Sequence, residues 1–165
     1  KGTHFLLQAF DELKLKNAEL CLIGGISQEI RPYMEKYRGI YNHIGYVNNT
    51  DLYKYYSQGS VFVIPSLEEG LAKVIIEAMA CGLPVIGSTN TGAEDVARDA
   101  TDGFIVPIRD VDSLKEKITY MYEHQDHCKQ MGQNAKARVH ADFTLECYVE
   151  RVLGAFAEIR ERGRR

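Results

Sequence analysis

Short apolar runs alternate with helix-like segments along the first two thirds of the chain, and this alternation constrains the fold more than any other feature. Each apolar run has the length of a strand and is followed at once by Gly or Pro; the runs are 18–23, 41–44, 61–64, 84–86 and 104–106. The segments between them have apolar residues at helical spacing, over 5–15, 29–37, 51–58, 72–81 and 93–97. This order predicts a parallel sheet with helices on both faces.

The run 61–64 is apolar at every position, as a strand covered on both faces requires. We therefore predict an α/β fold, a Rossmann-like doubly wound parallel sheet flanked by helices. Residues 110–162 have a helical pattern with breaks near Asp126 and Asp142. The chain enters its first helix directly after Lys1 and Gly2, although such folds begin with a strand. We therefore expect the sequence to start partway through a larger protein.

Length and charge exclude several classes of protein. A chain of 165 residues can bury a core as one domain without disulfides or a structural metal. The net charge of -3 argues against a nucleic-acid partner. The chain has no apolar stretch of 18 residues and no charged-then-apolar leader, so we expect neither a membrane span nor a secretion signal. Its four cysteines form no C-x-x-C motif, and we expect reduced thiols in a cytoplasmic protein.

Ligands of open parallel sheets bind beyond the carboxyl ends of the strands. Four segments follow a predicted strand and are candidates for a binding site: 24–25, 45–47, 66–72 and 88–94.

The segment 66–72 leaves a buried strand and enters a helix, so backbone amides near Gly70, Leu71 and Ala72 are expected to face a ligand. A helix start favours an anion by up to about 2 kcal/mol in a partly buried site, and a phosphate would fit. Glu68 and Glu69 have two interpretations at equal odds. They accept hydrogen bonds from sugar hydroxyls, or they only complement the helix dipole.

Glu77 lies in a predicted helix that is apolar on nearly every side, which is typical of a buried helix. An ionised carboxylate is costly there unless a partner compensates it. A ribose diol is one suitable partner. The alternative is a weak contact with Lys73 on an exposed face.

Other potential sites are weaker. His124, His127 and Cys128 lie within about one helical turn but lack a fourth ligand, so we expect a helix surface and no metal site. Asp110 and Asp112 are interpreted as the first turn of a helix. The chain contains no P-loop and no G-x-G-x-x-G motif, and no Ser-His-Asp or Cys-His arrangement can be argued from spacing.

Glu69 and Glu77 are separated by seven residues, and the second continues as EAMACGLPVI over residues 77–86. This segment resembles the E-x7-E signature of retaining glycosyltransferases of family 4. Further similarity extends over nearly the whole chain, in the opening KG with residues 4–10 and in residues 22–25, 45–47, 102–106 and 143–146.

The resemblance implies one half of a GT-B fold, in which two Rossmann-like domains face each other across a cleft. Residues 1–165 would be the C-terminal, nucleotide-sugar-binding domain without its first strand, and the N-terminal acceptor domain would lie outside this chain.

The resemblance also implies roles for individual residues. Glu69 would hold hydroxyls of the donor sugar and Lys1 would neutralise the diphosphate; these two are the catalytic candidates. Glu77 would bind the ribose. The remaining donor contacts would be the main chain of Gly70, Leu71 and Ala72, the main chain of Tyr46 and Val47 at the base, and Gly24. The family's acidic residue after its GG pair maps onto Asp95, with Glu94 one place earlier.

The implied function is retaining transfer of a sugar from a UDP- or GDP-sugar to a glycan or lipid-linked acceptor, as in polysaccharide biosynthesis, with no further cofactor. A donor phosphate oxygen would deprotonate the acceptor. The enzyme would be cytoplasmic, and the N-terminal domain would be the part that meets the inner face of the membrane. This chain alone would be nearly inactive. The alternatives are a non-catalytic flavodoxin-like binding module, or another GT-B enzyme such as a sugar-nucleotide epimerase or a phosphorylase.

Overall fold

The computed structural model describes residues 1–162, apart from the side chain of Glu161. Its strands are β1 (Leu20–Ile23), β2 (Tyr41–Ile44), β3 (Phe62–Ile64), β4 (Val85–Ser88) and β5 (Gly103–Val106). Every pairing between them is parallel. The predicted α/β fold is thereby confirmed, and all five strands overlap the apolar runs of the sequence.

The helices alternate with these strands and then continue alone to the end of the described chain. They are α1 (Thr3–Leu13), α2 (Arg31–Lys36), a 3-10 turn (Asn49–Asp51), α3 (Tyr53–Tyr56), α4 (Lys73–Ala80), α5 (Ala93–Val96), α6 (Val111–Glu123), α7 (Gln125–Asp142) and α8 (Leu145–Arg162). As predicted, the last third is helical and breaks near Asp126 and Asp142. Asp110 caps α6, since its carboxylate accepts the Ser113 N–H at 2.9 Å. Within residues 1–162, no helix is long and apolar enough to cross a membrane.

The strands form two sheets, β1-β2 and β3-β4-β5, where the sequence predicted one. One edge of each sheet is a strand with no described partner strand on its outer side: β1 ends the first sheet and β3 ends the second. Both strands nevertheless contribute to one apolar cluster with α1, through Leu20 and Leu22 on β1 and Val61 and Val63 at β3.

Helices cover both faces of the three-stranded sheet, in agreement with its apolar sequence. All four residues of β4 are buried. One face packs against α4 and α7 in a cluster that includes Ile75 and Val139, and the other against α1 and α6 in a cluster that includes Leu6 and Leu114. This packing fixes the carboxyl ends of β3 and β4, from which the two most informative candidate loops begin.

The last helix, α8, leaves a row of large apolar side chains exposed. They are Leu145, Tyr148, Val149, Leu153, Phe156 and Ile159, each at least 45% exposed. Their spacing of three and four residues places them on one face of the helix. The four cysteines are free thiols.

Candidate functional site

Lys1 lies next to the carboxyl end of β3 because the backbone at Gly2 packs directly against the backbone at Pro65. Gly2 is buried and has φ +64°, a conformation that glycine adopts without strain. A Cβ atom on Gly2 would clash with the carbonyl oxygen of Pro65 and lie 2.8 Å from its carbonyl carbon. The first residues therefore lie directly against the loop that carries Glu69.

Glu69 and Lys1 form an ion pair at the mouth of this loop. Lys1 Nζ lies 2.7 Å from Glu69 Oε1, and the hydroxyl of Ser66 donates to the same oxygen at 3.3 Å. The hydrogen bond from Lys1 holds the pKa of Glu69 below its ordinary value, against the opposing effect of burial. Glu69 is therefore an ionised hydrogen-bond acceptor at neutral pH. The side chain of Lys1 is 80% exposed and can turn towards an anion.

Two backbone hydrogen bonds fasten the Glu69 loop to the turn after β4. The amide of Glu69 donates to the carbonyl of Asn90 at 2.9 Å, and the amide of Ala72 donates to the carbonyl of Thr91 at 3.2 Å. The Ala72 amide, which the sequence suggested would face a ligand, is therefore already engaged in this structure. Among the described residues, the amides of Gly70 and Leu71 have no hydrogen-bond partner.

An open cavity of about 370 Å³ lies between this loop and the turn after β4. Its lining is formed by Leu67, Glu68, Glu69, Gly70, Asn90, Gly92, Glu94 and Asp95. Beside it begins α4, whose N-cap residue, Ala72, supplies no side-chain hydrogen bond to the helix start. The helix start therefore keeps unsatisfied amide groups and a partial positive charge, the features that favour an anion.

Glu77 is half-buried on α4, and its partners are neutral. The hydroxyl of Tyr56 lies 3.4 Å from Oε2, and the side-chain amide of Asn49 lies 3.5 Å from Oε1; both contacts are long for hydrogen bonds. Burial, followed by the negative charge of Glu77, raises the pKa of Tyr56. No ion pair joins Glu77 to Lys73 within the described chain. The carboxylate thus retains capacity for a further donor.

The remaining predicted contacts lie at the carboxyl ends of β1 and β2. The amide of Gly24 donates to the carbonyl of Ile44 at 3.0 Å, which brings the two turns together. Tyr46 is 85% exposed and Val47 is partly buried. In residues 1–162 no hydrogen bond joins Tyr46 or Val47 to the Glu69 loop; their segment approaches α4 through the contact of Asn49 with Glu77.

Sequence reasoning missed Tyr56, Asn49 and Asn90. Nothing in the sequence indicated which side chains of α3 would face α4. Asn90 offered a signal, because it precedes Thr-Gly after a strand and asparagine is frequent at positive φ, which is +68° here.

The histidine cluster is accounted for by packing at the α6–α7 junction. His124 stacks on Tyr120 with ring centroids 4.2 Å apart, and the Tyr120 hydroxyl is hydrogen-bonded to Nδ1 of His127 at 2.7 Å. Over residues 1–162, no group of three or more His, Cys, Asp or Glu side chains has the arrangement of a metal site.

Comparison with known proteins agrees with this architecture. The capsular polysaccharide biosynthesis glycosyltransferase CapM of Staphylococcus aureus is 31% identical over 151 residues, covering 88% of this chain and 40% of that protein. A trehalose synthase of Pyrococcus horikoshii is 29% identical over 168 residues, covering 93% of this chain and 40% of that protein. The chain therefore spans about two fifths of the length of these relatives.

Solved structures of similar fold include the sucrose-phosphate synthase of Thermosynechococcus elongatus. It superposes with a TM-score of 0.85 at 26% identity, over 98% of this chain and 43% of that one. The Anabaena protein Alr3699/HepE, solved in complex with UDP and glucose, superposes with a TM-score of 0.83 at 19% identity, over 96% of this chain and 45% of that one.

A family model described as glycosyl transferases group 1 matches residues 1–138, which include the loop of Glu69, the helix of Glu77 and the strands that position them. The chain belongs to the glycosyl transferases group 1 family.

Proposed function

We propose that the chain is the donor-binding domain of a retaining glycosyltransferase of family 4. The observation that carries the proposal is Glu77, a half-buried carboxylate that has only neutral partners and stands on the helix that starts beside the Glu69 cavity. Because the chain belongs to the glycosyl transferases group 1 family, we do not retain the alternative of a non-catalytic flavodoxin-like binding module.

The diphosphate of the donor would bind at the start of α4. The free amides of Gly70 and Leu71, together with the uncapped helix start, supply partial positive charge. Lys1 would leave Glu69 and turn to the phosphates. Because negative charge grows on the phosphates as the nucleotide departs, these groups would stabilise the transition state more than the ground state.

The sugar and the ribose would be held by the two glutamates. Glu69, ionised and next to the cavity, would accept hydrogen bonds from sugar hydroxyls. Glu77 would accept from the ribose hydroxyls, replacing its long contact with Asn49 by stronger charge-assisted bonds. The main chain at Tyr46 and Val47 would meet the base, and Gly24 would lie beside the nucleotide.

The resemblance to family 4 implies a route without a covalent intermediate on the protein. In this route the acceptor attacks on the face from which the nucleotide leaves, and a donor phosphate oxygen takes its proton. This route gives retention of configuration. The acceptor would be a glycan or a lipid-linked molecule; a capsular polysaccharide biosynthesis glycosyltransferase among the relatives supports the glycan.

The acceptor would be bound by an N-terminal domain of the same protein. The chain spans about 40% of its curated relatives, which leaves room for such a domain. The unpaired edges of β1 and β3 would receive the strand that precedes Lys1. The apolar row of α8, from Leu145 to Ile159, would pack against the second domain.

A binding panel tests the donor proposal. The intact protein is mixed with UDP-glucose, UDP-N-acetylglucosamine, GDP-mannose and ATP, and its thermal unfolding is followed. We expect one sugar nucleotide to raise the unfolding temperature, because a ligand that binds only the folded state stabilises it. ATP is the control. Absence of stabilisation by any sugar nucleotide contradicts the donor site.

Product analysis tests the mechanism. With the donor identified, transfer to an acceptor extract is followed, and the anomeric configuration of the product is read by NMR. Retention is expected, and inversion would contradict the family 4 mechanism. The 165-residue chain alone is expected to transfer no sugar; transfer by it would contradict the need for a second domain.

A further inference from the structure

Two fully buried polar side chains, Ser88 and Thr91, lie in the turn that supports the Glu69 loop. Ser88 is 1% exposed and Thr91 is 0% exposed. Neither lines the cavity. A buried hydroxyl is costly unless it is hydrogen-bonded, so the contacts that these two make indicate what they are for.

Both hydroxyls join segments of backbone that meet at the site. The hydroxyl of Ser88, at the end of β4, donates to the carbonyl of Ser66, at the start of the Glu69 loop. The hydroxyl of Thr91 donates to the carbonyl of Ser88 at 2.6 Å and accepts the amide of Ala93 at 3.3 Å. Thr91 therefore closes the turn 88–93, and Ser88 fastens that turn to the loop.

This closed turn presents the two carbonyls that hold the Glu69 loop. The carbonyl of Asn90 accepts the amide of Glu69, and the carbonyl of Thr91 accepts the amide of Ala72. Asn90 itself has φ +68°, a conformation that asparagine adopts more readily than most residues. The Thr91 hydroxyl bonds on both sides of Asn90, to the carbonyl of Ser88 and the amide of Ala93, and so closes the turn around it.

We infer that Thr91 and Ser88 are positioning residues of the donor site, which hold the Glu69 loop in the shape that meets the sugar. This inference rests on the proposed function for its effect on binding. The hydroxyl of Thr91 closes the turn 88–93 by hydrogen bonds. The carbonyls of this turn bind the amides of Glu69 and Ala72, and these contacts position the backbone that carries the Glu69 carboxylate.

The effect should be larger for the sugar than for the nucleotide. Glu77 lies four residues into α4, about 6 Å along the helix from its first residue, and contacts Asn49 and Tyr56. None of these three side chains is bonded to the turn 88–93 within the described residues, so the ribose contacts should be kept. Gly70 and Leu71, whose amides would meet the diphosphate, belong to the same loop as Glu69. Loss of the Thr91 hydroxyl should therefore weaken the affinity for a nucleotide sugar more than that for the nucleoside diphosphate.

Isosteric substitution separates positioning from packing. Thr91→Val removes the hydroxyl at constant shape, Thr91→Ser keeps it, and Thr89→Val is the control, because the Thr89 hydroxyl has no hydrogen bond in the described chain. Titration calorimetry on the intact protein compares UDP-glucose with UDP and GDP-mannose with GDP. We expect Thr91→Val to lower the affinity for the sugar nucleotide that binds by about fivefold or less, and the affinity for its diphosphate by less than about twofold. Thr91→Ser and Thr89→Val should match the parent.

Equal weakening of sugar nucleotide and diphosphate by Thr91→Val would overturn the inference, because it would mean a general loss of structure. Unchanged affinity for both would overturn it as well. If neither pair binds the parent protein, the proposed function fails, and the positioning role is decided by a measurement that needs no ligand.

That measurement is amide hydrogen exchange. Thr91→Val should speed exchange of the Glu69 and Ala72 amides at least tenfold, since both donate to the turn, while the Cys81 amide at the end of α4, which donates to the carbonyl of Ala78 at 3.1 Å, keeps its protection. Ser88→Ala should give a smaller increase confined to the same loop. Unchanged exchange at Glu69 and Ala72 in Thr91→Val would overturn the positioning role even where the donor site is established.

Discussion

The two ends of the three-stranded sheet differ in how their polar groups are satisfied. At the amino-terminal end, Asp102 is completely buried and takes hydrogen bonds at 2.7 to 2.9 Å from the side chain and the amide of Arg98. At the carboxyl-terminal end, Glu69 bonds to a highly exposed lysine and to Ser66 at 3.3 Å, while Glu77 has contacts of 3.4 and 3.5 Å. At the amino-terminal end the carboxylate is fully hydrogen-bonded within the protein, and we call this end closed. At the carboxyl-terminal end the carboxylates keep hydrogen-bonding capacity, and we call this end open.

This difference separates residues that stabilise the fold from residues available to a ligand. Substitutions at the closed end should cost free energy of unfolding, and substitutions at the open end should cost affinity. The four predictions below test this division.

Gly103→Ala should have the largest effect. A Cβ atom at this position would clash with the carbonyl oxygen of Val85 and lie 2.6 Å from its nitrogen, so β4 and β5 could not keep their pairing. We expect a loss of about 4 kcal/mol or more in the free energy of unfolding, measured with urea. Gly154→Ala, on open surface of α8, is the control and should change it by less than about 1 kcal/mol.

Asp102→Asn should cost roughly 2 kcal/mol at neutral pH, because it weakens the charge-assisted hydrogen bonds between the buried carboxylate of Asp102 and Arg98, whose side chain is half exposed. Burial alone would raise the pKa of Asp102, but Arg98, with Arg138, lowers it below the ordinary value of 3.8. The stabilisation is therefore complete above about pH 4 and is lost as pH falls through the folded-state pKa.

Urea unfolding between pH 7 and pH 2 checks this, since the difference between parent and Asp102→Asn should shrink in acid. Asp126→Asn, on the exposed start of α7, is the control and should change the free energy of unfolding at pH 7 by less than about 1 kcal/mol. If the difference in free energy of unfolding between the parent and Asp102→Asn stays constant down to pH 2, the charge of Asp102 is not the stabilising feature.

Glu77→Gln should lower the affinity for every nucleotide about tenfold, with or without an attached sugar. The reason is that the ribose would lose a charged hydrogen-bond acceptor, which is worth roughly 1.4 kcal/mol. Stability should change little, since the contacts of Glu77 within the protein are long. Calorimetry with UDP and GDP measures the loss, and Glu123→Gln at the end of α6 is the control. Parent-like affinity would remove Glu77 from the site.

Glu69→Gln should have the smallest effect. The ratio of affinities between the best and the poorest sugar nucleotide, here called the spread, should fall by about fivefold, or roughly 1 kcal/mol. Affinity for the diphosphates should be kept. Glu150→Gln removes the same charge from an exposed residue of α8 that does not line the cavity, and it should leave the spread as it is. An equal response to the two substitutions would make the effect one of overall charge.

The sequence predicted the strands, the helices and the end of the sheet where the candidate site lies, because apolar periodicity and Gly or Pro at strand ends are local signals. It did not predict the partners of Glu77. Tyr56 and Asn49 are more than twenty residues away in sequence, and their approach depends on how α3 packs against α4. The contact of Lys73 with Glu77 was considered from spacing and does not form. The division into two sheets could not be predicted either, because pairing between strand edges depends on long-range contacts.

The contact of Gly2 with Pro65 has a mechanical consequence. A backbone wedged against the end of β3 has no slack, so a displacement of the chain at Lys1 would be transmitted to Pro65 and to the residues that follow it. Lys1 and Glu69 are more than sixty residues apart in sequence, yet the backbone segments that carry them would move together, while the exposed side chain of Lys1 stays free to turn.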